Sequence, residues 1–213
     1  YENGLPVEVY DEHGQAVKIT NHQVDQKTKE LLSYRIGNAL YKRGADGNAR
    51  LAGLYYTPDK AGAKETFIAF QGPGEYDVGN SRIYFDGKET KVIGLYYKER
   101  VVIGTDATGK PITKEHNRFV PFNNGPGEYK VETSQVYFDG KDVTLVGLYN
   151  KQGQLVRFDS KGEAKVDNSR VRLYEKGNLK VIGLYQEDGS LIRFRGPGEY
   201  KVETSQVYFD GKD

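Results

Sequence analysis

The chain has 213 residues, 31 basic against 30 acidic side chains, a net charge of +1, and no Cys, Met or Trp. Because the charges alternate in sign, the sequence argues against a nucleic-acid or membrane-surface partner. No apolar run reaches the roughly 18 residues of a membrane span, which argues against membrane insertion. Without cysteine the chain has no disulfide and no thiolate chemistry.

The N-terminal third predicts strands around one less regular stretch. Strands are expected at Val7–Tyr10 and Ala16–Ile19, separated by a turn. Residues 25–34 (DQKTKELLSY) combine helix-forming side chains with an Asp at the N-cap position, which predicts a short helix. Further strands are expected near 39–41, 51–55 and 63–70.

The later part of the chain is dominated by repetition. The 18 residues 125–142 return letter for letter at 196–213. Turn residues divide the segment 125–158 into four short strands, a to d, at 128–131, 135–138, 143–149 and 155–158. A glycine recurs inside strand c at Gly53, Gly94, Gly147 and Gly183. Such a glycine predicts a β-bulge or a close approach of another backbone.

These repeats predict an all-β fold of antiparallel four-stranded units, each about 36–43 residues long. Strands c and d open the chain and strands a and b close it, so the two ends together make one unit. The most favoured arrangement is a five-bladed β-propeller-like ring closed by the N- and C-terminal strands. An elongated repeat β-sheet or solenoid, or a sandwich or barrel, is the alternative. The predicted units of this single repeat domain are 1–19 plus 195–213, 20–70, 71–122, 123–158 and 159–194.

Residues 97–121 are an insertion between strands c and d of the third unit. Within them, Gly104–Lys110 fits seven places of a phosphate-binding loop. Pro111 occupies the place of the Mg²⁺-binding hydroxyl, and no helix pattern follows. The segment therefore predicts an exposed hairpin turn.

No group of residues predicts catalysis or a cofactor. His13, His22 and His116 are isolated, and the acidic turns lack the alternating ligand pattern of a calcium loop. The expectation is a protein that is not an enzyme and has neither a metal site nor a cofactor.

Tyrosines of strand b suggest a carbohydrate surface. Alternation places Ile83, Val136, Phe85 and Phe138 on one face of the strand and tyrosines on the other. Each tyrosine is followed two places later by an aspartate, and a ring beside a carboxylate suits a sugar. The candidate binding residues are Tyr84, Asp86, Tyr137, Asp139, Tyr208 and Asp210. They support the alternative function, a multivalent lectin-like module.

The favoured function is a non-enzymatic extracellular structural or adhesive repeat protein that assembles with itself, through strand complementation between its termini. The chain begins at Tyr1 and not at Met, which suggests either a removed leader or a trimmed chain. A removed leader fits an extracellular or cell-surface location. The candidate assembly residues lie on the terminal strands: Val7, Val9, Val17, Ile19, Tyr200, Val202, Val207 and Phe209.

Overall fold

The computed structural model describes residues 7–10, 14–58, 62–174 and 178–211. Every regular element is a β-strand, and the sheets repeat an antiparallel pattern, as the sequence predicts. The chain divides into two compact units, residues 1–96 and 97–213. None of the described residues belongs to a helix that could cross a membrane.

The first unit begins with a two-stranded sheet of β1 (Glu8–Tyr10) and β2 (Ala16–Lys18). A five-stranded antiparallel meander follows, so the four-stranded unit predicted for residues 20–70 is wrong by one strand, because residues 20–36 form two strands instead of one strand and a helix. Its strands, in order across the sheet, are β3 (Thr20–Val24), β4 (Leu31–Ile36), β5 (Ala39–Arg43), β6 (Ala49–Tyr56) and β7 (Thr66–Ala69).

The helix predicted for residues 25–34 is wrong, since this segment forms the turn between β3 and β4 and the start of β4. Asp25 accepts hydrogen bonds from the backbone N–H groups that follow it, as a helix N-cap residue would. Its Oδ1 accepts hydrogen bonds from the backbone N–H groups of Lys27 and Thr28, at 2.7 and 2.8 Å. Lys29 then adopts a φ of 60°, and the Asp25 N–H donates to the carbonyl of Glu30, which closes a hairpin loop.

A four-stranded sheet comes next along the chain. Its strands are β8 (Gly74–Val78), β9 (Ser81–Phe85), β10 (Thr90–Thr105) and β11 (Pro111–Pro121), hydrogen bonded in the order β11-β10-β9-β8. The inserted residues 97–121 therefore lengthen strands c and d into a two-stranded ribbon. The ribbon ends in a turn at Asp106, whose Oδ1 accepts from the N–H groups of Thr108 and Lys110. The predicted hairpin turn is confirmed, because β11 follows it where a phosphate loop requires a helix.

The second unit continues with two complete four-stranded sheets and a final hairpin. The first sheet consists of β12 (Gly127–Val131), β13 (Ser134–Phe138), β14 (Val143–Tyr149) and β15 (Leu155–Arg157). The second consists of β16 (Glu163–Val166), β17 (Ser169–Leu173), β18 (Leu179–Tyr185) and β19 (Leu191–Arg193). The hairpin pairs β20 (Gly198–Val202) with β21 (Ser205–Phe209).

The glycine inside strand c has the role that its position predicts. The register between β13 and β14 shifts opposite Gly147. A Cβ at Gly147 would lie 2.8 Å from the carbonyl oxygen of Val156, and one at Gly183 would lie 2.6 Å from that of Ile192. Both distances are shorter than real Cβ contacts allow. Strand c therefore needs glycine where strand d crosses beside it.

Strand b carries the core in alternate positions, as expected. Ile83 and Phe85 are 4% exposed, and Val136 and Phe138 are 6% and 5% exposed. The tyrosine between each pair points away from this core. The sheets are thus apolar on one face, where Phe85 packs against Phe70 and Phe138 packs against Phe122, the phenylalanines that precede their sheets.

Candidate functional site

Successive sheets are joined by one repeated aromatic cluster. At the end of a strand d, Phe122 packs against Tyr129 and Phe138 of the following sheet, with ring centroids 4.5 and 4.7 Å apart. The Tyr129 hydroxyl donates a 2.6 Å hydrogen bond to the carbonyl of Gly125. The same three-ring arrangement occurs at Phe70, Tyr76 and Phe85, and again at Phe194, Tyr200 and Phe209. We call this arrangement the aromatic joint.

The C-terminal hairpin is attached to the preceding sheet but is incomplete as a sheet. Its aromatic joint is formed, and the backbone N–H of Glu187 donates a 2.8 Å hydrogen bond to Glu203. Among the described residues, however, β21 pairs with β20 alone, whereas its counterpart β13 pairs with strands on both sides. The outer edge of β21 therefore carries backbone groups with no strand beside them.

The N-terminal hairpin has the register of the missing strands. In β14 and β15, Leu148 faces Val156 and Tyr149 faces Leu155. In β1 and β2, the corresponding pairs are Val9 with Val17 and Tyr10 with Ala16. The hydrogen bond from the N–H of Ile19 to the carbonyl of Val7 repeats the one from Phe158 to Val146. The hairpin β1–β2 thus has the register of strands c and d, with Glu8 at the place of the strand c glycine.

The predicted assembly residues occupy these two hairpins. Ile19 is 4% exposed and Phe209 is 7% exposed, so both are already buried within the single chain. The others are half-buried: Val7, Val9, Val17, Tyr200, Val202 and Val207. Tyr10, at the tip of β1, is 77% exposed.

The predicted carbohydrate residues divide into two kinds. The tyrosines are exposed, by 38% at Tyr84, 43% at Tyr137 and 67% at Tyr208. Two of the aspartates are engaged in their own turns: Asp139 Oδ1 accepts from the backbone N–H groups of Lys141 and Asp142, each at 2.8 Å. Asp86 does the same in its own turn. Hydrogen bonds to the backbone N–H groups of Asp142 and Lys141 lower the pKa of Asp139.

A carboxylate of strand a reaches an arginine of strand d across the glycine of strand c. In the first complete sheet of the second unit, Arg157 donates to Glu128 at 2.7 Å. Gly147 is paired with Arg157 and lies between the two side chains. Its lack of a side chain leaves the path open. Gln135 completes this group by donating to Glu128 and accepting from the Tyr149 hydroxyl at 2.6 Å.

In the next sheet, the equivalent positions hold more charged side chains. We call this group the arginine cluster and define it as Asp159, Glu163, Arg170, Arg172 and Arg193. Glu163 is 4% exposed and contacts three guanidinium groups: Arg170 Nε at 3.0 Å, Arg193 at 3.1 Å, and Arg172. Arg170 also donates to Asp159 Oδ2 at 3.1 Å. Although burial itself raises the pKa of Glu163, hydrogen bonds from Arg170 and Arg172 and the nearby charges of Arg193 and Arg172 bring it below its usual value.

Sequence reasoning missed this cluster, although one signal was visible. Strand b has the letters QVYF at 135–138 and 206–209 and RIYF at 82–85, but RVRL at 170–173. Arg172 therefore stands where these three repeats have tyrosine, whereas Arg170 stands where two of them have glutamine and one has Arg82. The additional charge at Arg172 marks a place where this unit differs in function or in packing.

The remaining candidates do not form a site. His22 and His116 lie in different parts of the chain, and His13 lies outside the described residues. Within the described residues, no group of three or more His, Asp or Glu side chains is placed to hold a metal ion.

Searches with this sequence find no matching protein-family model and no matching curated protein.

Proposed function

We propose that this chain is a non-enzymatic structural or adhesive repeat protein that assembles with itself, and that it acts outside the cell or at its surface. The observation that carries the proposal is the pair of terminal hairpins. β20–β21 has the sequence and register of strands a and b, and β1–β2 has the register of strands c and d. In the proposed assembly, β1 of one copy pairs with β21 of the next.

The complete sheets supply the register for this contact. In the first complete sheet of the second unit, Ser134 faces Leu148 and Gln135 faces Gly147. The equivalent residues place Ser205 opposite Val9 and Gln206 opposite Glu8. The contact would extend the sheet by main-chain hydrogen bonds, as in other cases of strand addition.

Burial supports the same pairing. Gln206 is exposed, whereas Gln135 is 7% exposed in a segment with identical letters. Val207 is half-buried, whereas its counterpart Val136 is 6% exposed. Since a two-stranded sheet is marginal in water, both hairpins gain stability when they join into four strands.

Pairing between copies is heterologous, because the C-terminal edge of one molecule meets the N-terminal edge of another. Repetition of this contact gives an open filament unless the rotation closes. The same pairing inside one molecule would instead give the closed five-bladed β-propeller-like ring. Both arrangements use the same register and are separated by one experiment.

The absence of cysteine from the chain makes disulfide cross-linking a direct test. Two single variants, Val9→Cys and Ser205→Cys, are purified reduced, mixed and oxidised. If the hairpins pair between copies, the mixture forms disulfide-linked dimers, because directly opposed residues have Cβ atoms close enough to link. The double variant then forms a ladder of oligomers.

The matched control replaces Val9→Cys by Val102→Cys, at a position that is 59% exposed on the inserted ribbon. A double variant that cross-links within a single chain would favour the closed ring and contradict self-assembly. Cross-linking no faster than the control in every mixture would contradict complementation altogether.

The exposed tyrosines support a second candidate function, a multivalent lectin-like module. Tyr84, Tyr137 and Tyr208 occupy the same place in three sheets and offer three similar flat surfaces. Glycan-array binding that is lost in the Tyr137→Ala, Tyr208→Ala double variant would support this function. An array without any bound glycan would contradict it.

A further inference from the structure

The arginine cluster borders a pocket of about 370 Å³ on the sheet formed by β16 to β19. Its lining adds Lys161 and Ser160, from the turn before β16, to the five members of the cluster. Arg170 and Arg172 are two places apart on β17 and therefore share one face of the sheet. Arg193 reaches the same face over Gly183, with which it is paired.

Positive charge exceeds negative charge in this pocket. Its lining contains three arginines and one lysine against Asp159 and Glu163, a net charge of +2. The two carboxylates are already engaged: Glu163 contacts three guanidinium groups, and Asp159 accepts from Arg170 and from the backbone N–H groups of Lys161 and Glu163. Further guanidinium donors remain for another acceptor, since each arginine carries five.

One of these donors has no acceptor among the described residues. The Nε of Arg172 is buried and makes no hydrogen bond within the described residues. An unsatisfied buried donor is costly, and in a native structure it calls for an explanation such as a bound ion. The Arg172 side chain as a whole is 34% exposed, and those of Arg170 and Arg193 are 24% and 50% exposed, so the pocket is open to small solutes.

The equivalent place in the preceding sheet lacks these properties. There, Glu128 contacts one arginine, Arg157, while Gln135 and Tyr137 occupy the places of Arg170 and Arg172. The preceding sheet therefore forms without arginines at the places of Arg170 and Arg172. Arg172 has no arginine counterpart in strand b at 82–85, 135–138 or 206–209.

We propose that the arginine cluster is a binding site for a tetrahedral oxyanion, the sulfate or phosphate group of a ligand. Guanidinium groups present paired donors that match such oxygens, and hydrogen bonds between charged partners are the strong ones. The anion would offset the surplus charge. This site is independent of the proposed pairing of the terminal hairpins, and either can hold without the other.

The test uses the full chain and isothermal titration calorimetry with sodium sulfate and sodium phosphate, at an ionic strength held constant with sodium chloride. We expect saturable binding of one anion per chain. The key variant, Arg170→Gln with Arg172→Tyr, gives this sheet the strand b residues of its neighbour, so the fold should tolerate it. It should bind the anion about tenfold more weakly or worse.

A charge-matched control removes two arginines elsewhere: Arg100→Gln with Arg118→Gln, on the ribbon, where the side chains are 75% and 57% exposed. It should bind as the unmodified chain does. If circular dichroism shows that the key variant is unfolded, the single substitution Arg172→Gln replaces it, with the same expected loss.

Esters then separate the two sources of the anion. Galactose 6-sulfate and glucose 6-phosphate are titrated in parallel, and the tighter of the two identifies the chemistry of the ligand. No saturable heat with any of these anions would overturn the proposal. It would also be overturned if the folded key variant bound the anion as tightly as the charge-matched control.

Discussion

Residues 125–142 and 196–213 have identical sequences and different surroundings. Both fold into the same hairpin with the same register, and both make the aromatic joint with the phenylalanine before them. In the first copy β14 lies beside the hairpin; in the second, no described strand does. Phe138 and Phe209 are 5% and 7% exposed, whereas Tyr137 and Tyr208 differ, at 43% and 67%.

Features that the two copies share follow from their common sequence, and features that differ follow from the strands beside them. The hairpin and its joint depend on residues inside the segment and on one phenylalanine just before it, so they form in both places. The coverage of the outer edge depends on strand c, and no described strand takes that place beside the second copy. The segment therefore specifies its own hairpin. It does not specify whether another strand covers the outer edge of that hairpin.

The largest effect is expected at the aromatic joint. Phe122→Ala removes a ring that is 6% exposed, and it should destabilise the sheet of β12 to β15 by about 3–5 kcal/mol. Phe194→Ala makes the same change at the second copy, where we expect residues 198–209 to lose hydrogen-exchange protection while the preceding sheets keep theirs.

Hydrogen exchange read by mass spectrometry measures both variants. Val102→Ala, at a position that is 59% exposed, is the control and should change protection little. Equal loss of protection across the whole chain in Phe194→Ala would contradict the view that the joint acts locally.

A smaller effect is expected where the first copy meets its third strand. Gly147→Ala places a Cβ 2.8 Å from the Val156 carbonyl oxygen, and such overpacking should cost about 1–3 kcal/mol in urea denaturation. Gly104→Ala is the matched control, because nothing lies within 4 Å of a Cβ there. If both variants had the same stability, the close approach of strand d would not explain the repeated glycine.

Gln135 and Gln206 occupy the same position in the two copies, but substitution by alanine should change the stability of the chain by different amounts. Gln135 is 7% exposed and accepts a hydrogen bond from the Tyr149 hydroxyl, so Gln135→Ala should cost about 1 kcal/mol. Gln206 is exposed and contacts Glu199, and Gln206→Ala should change stability by less than about 0.5 kcal/mol.

The two variants are compared by urea denaturation at protein concentrations low enough to keep the chain monomeric. At high concentration, self-assembly would cover Gln206 and bring its cost closer to that of Gln135. A cost for Gln206→Ala that equals that of Gln135→Ala in the monomer would remove the distinction between the two copies.

The smallest effect concerns pH and the turn after strand b. The folded chain lowers the pKa of Asp139, so its carboxylate stabilises the turn at neutral pH. This contribution should be lost as the pH falls below about 4, the usual value for the group in an unfolded chain, and through the lowered folded value. Asp139→Asn should flatten this part of the stability profile.

Urea denaturation at pH 7 and at pH 3 measures the change. Asp142→Asn is the control, because it removes a charge from the same turn and leaves the Asp139 acceptor in place. A profile for Asp139→Asn that falls with acid as steeply as that of the unmodified chain would contradict the assignment.

The sequence was most informative where structure depends on near neighbours. Alternation in strand b, the Asp-Gly turns and the glycine of strand c each express a local requirement, and each prediction was confirmed. Residues 25–34 were misjudged because Asp25 accepts hydrogen bonds from the next N–H groups in a tight turn as it would at a helix start. Pairing of Leu31 and Ser33 with β3 decided between the two, and that is a tertiary contact.

The arginine cluster lay beyond local reasoning for a physical reason. Glu163 and Arg193 are thirty residues apart and meet because Gly183 leaves a gap between them. A pattern of letters shows that a unit is unusual, but the contact depends on the order of strands across the sheet.

The aromatic joint has a consequence for how such a chain changes length during evolution. Each joint consists of three rings from two adjoining sheets. Its formation therefore depends on those two sheets and not on sheets farther along the chain. A gene rearrangement that adds or removes one whole unit would therefore bring together two sheets that can form an aromatic joint. Near-identical neighbouring segments favour such rearrangements, so related chains should differ by whole units and keep the same residues at every boundary.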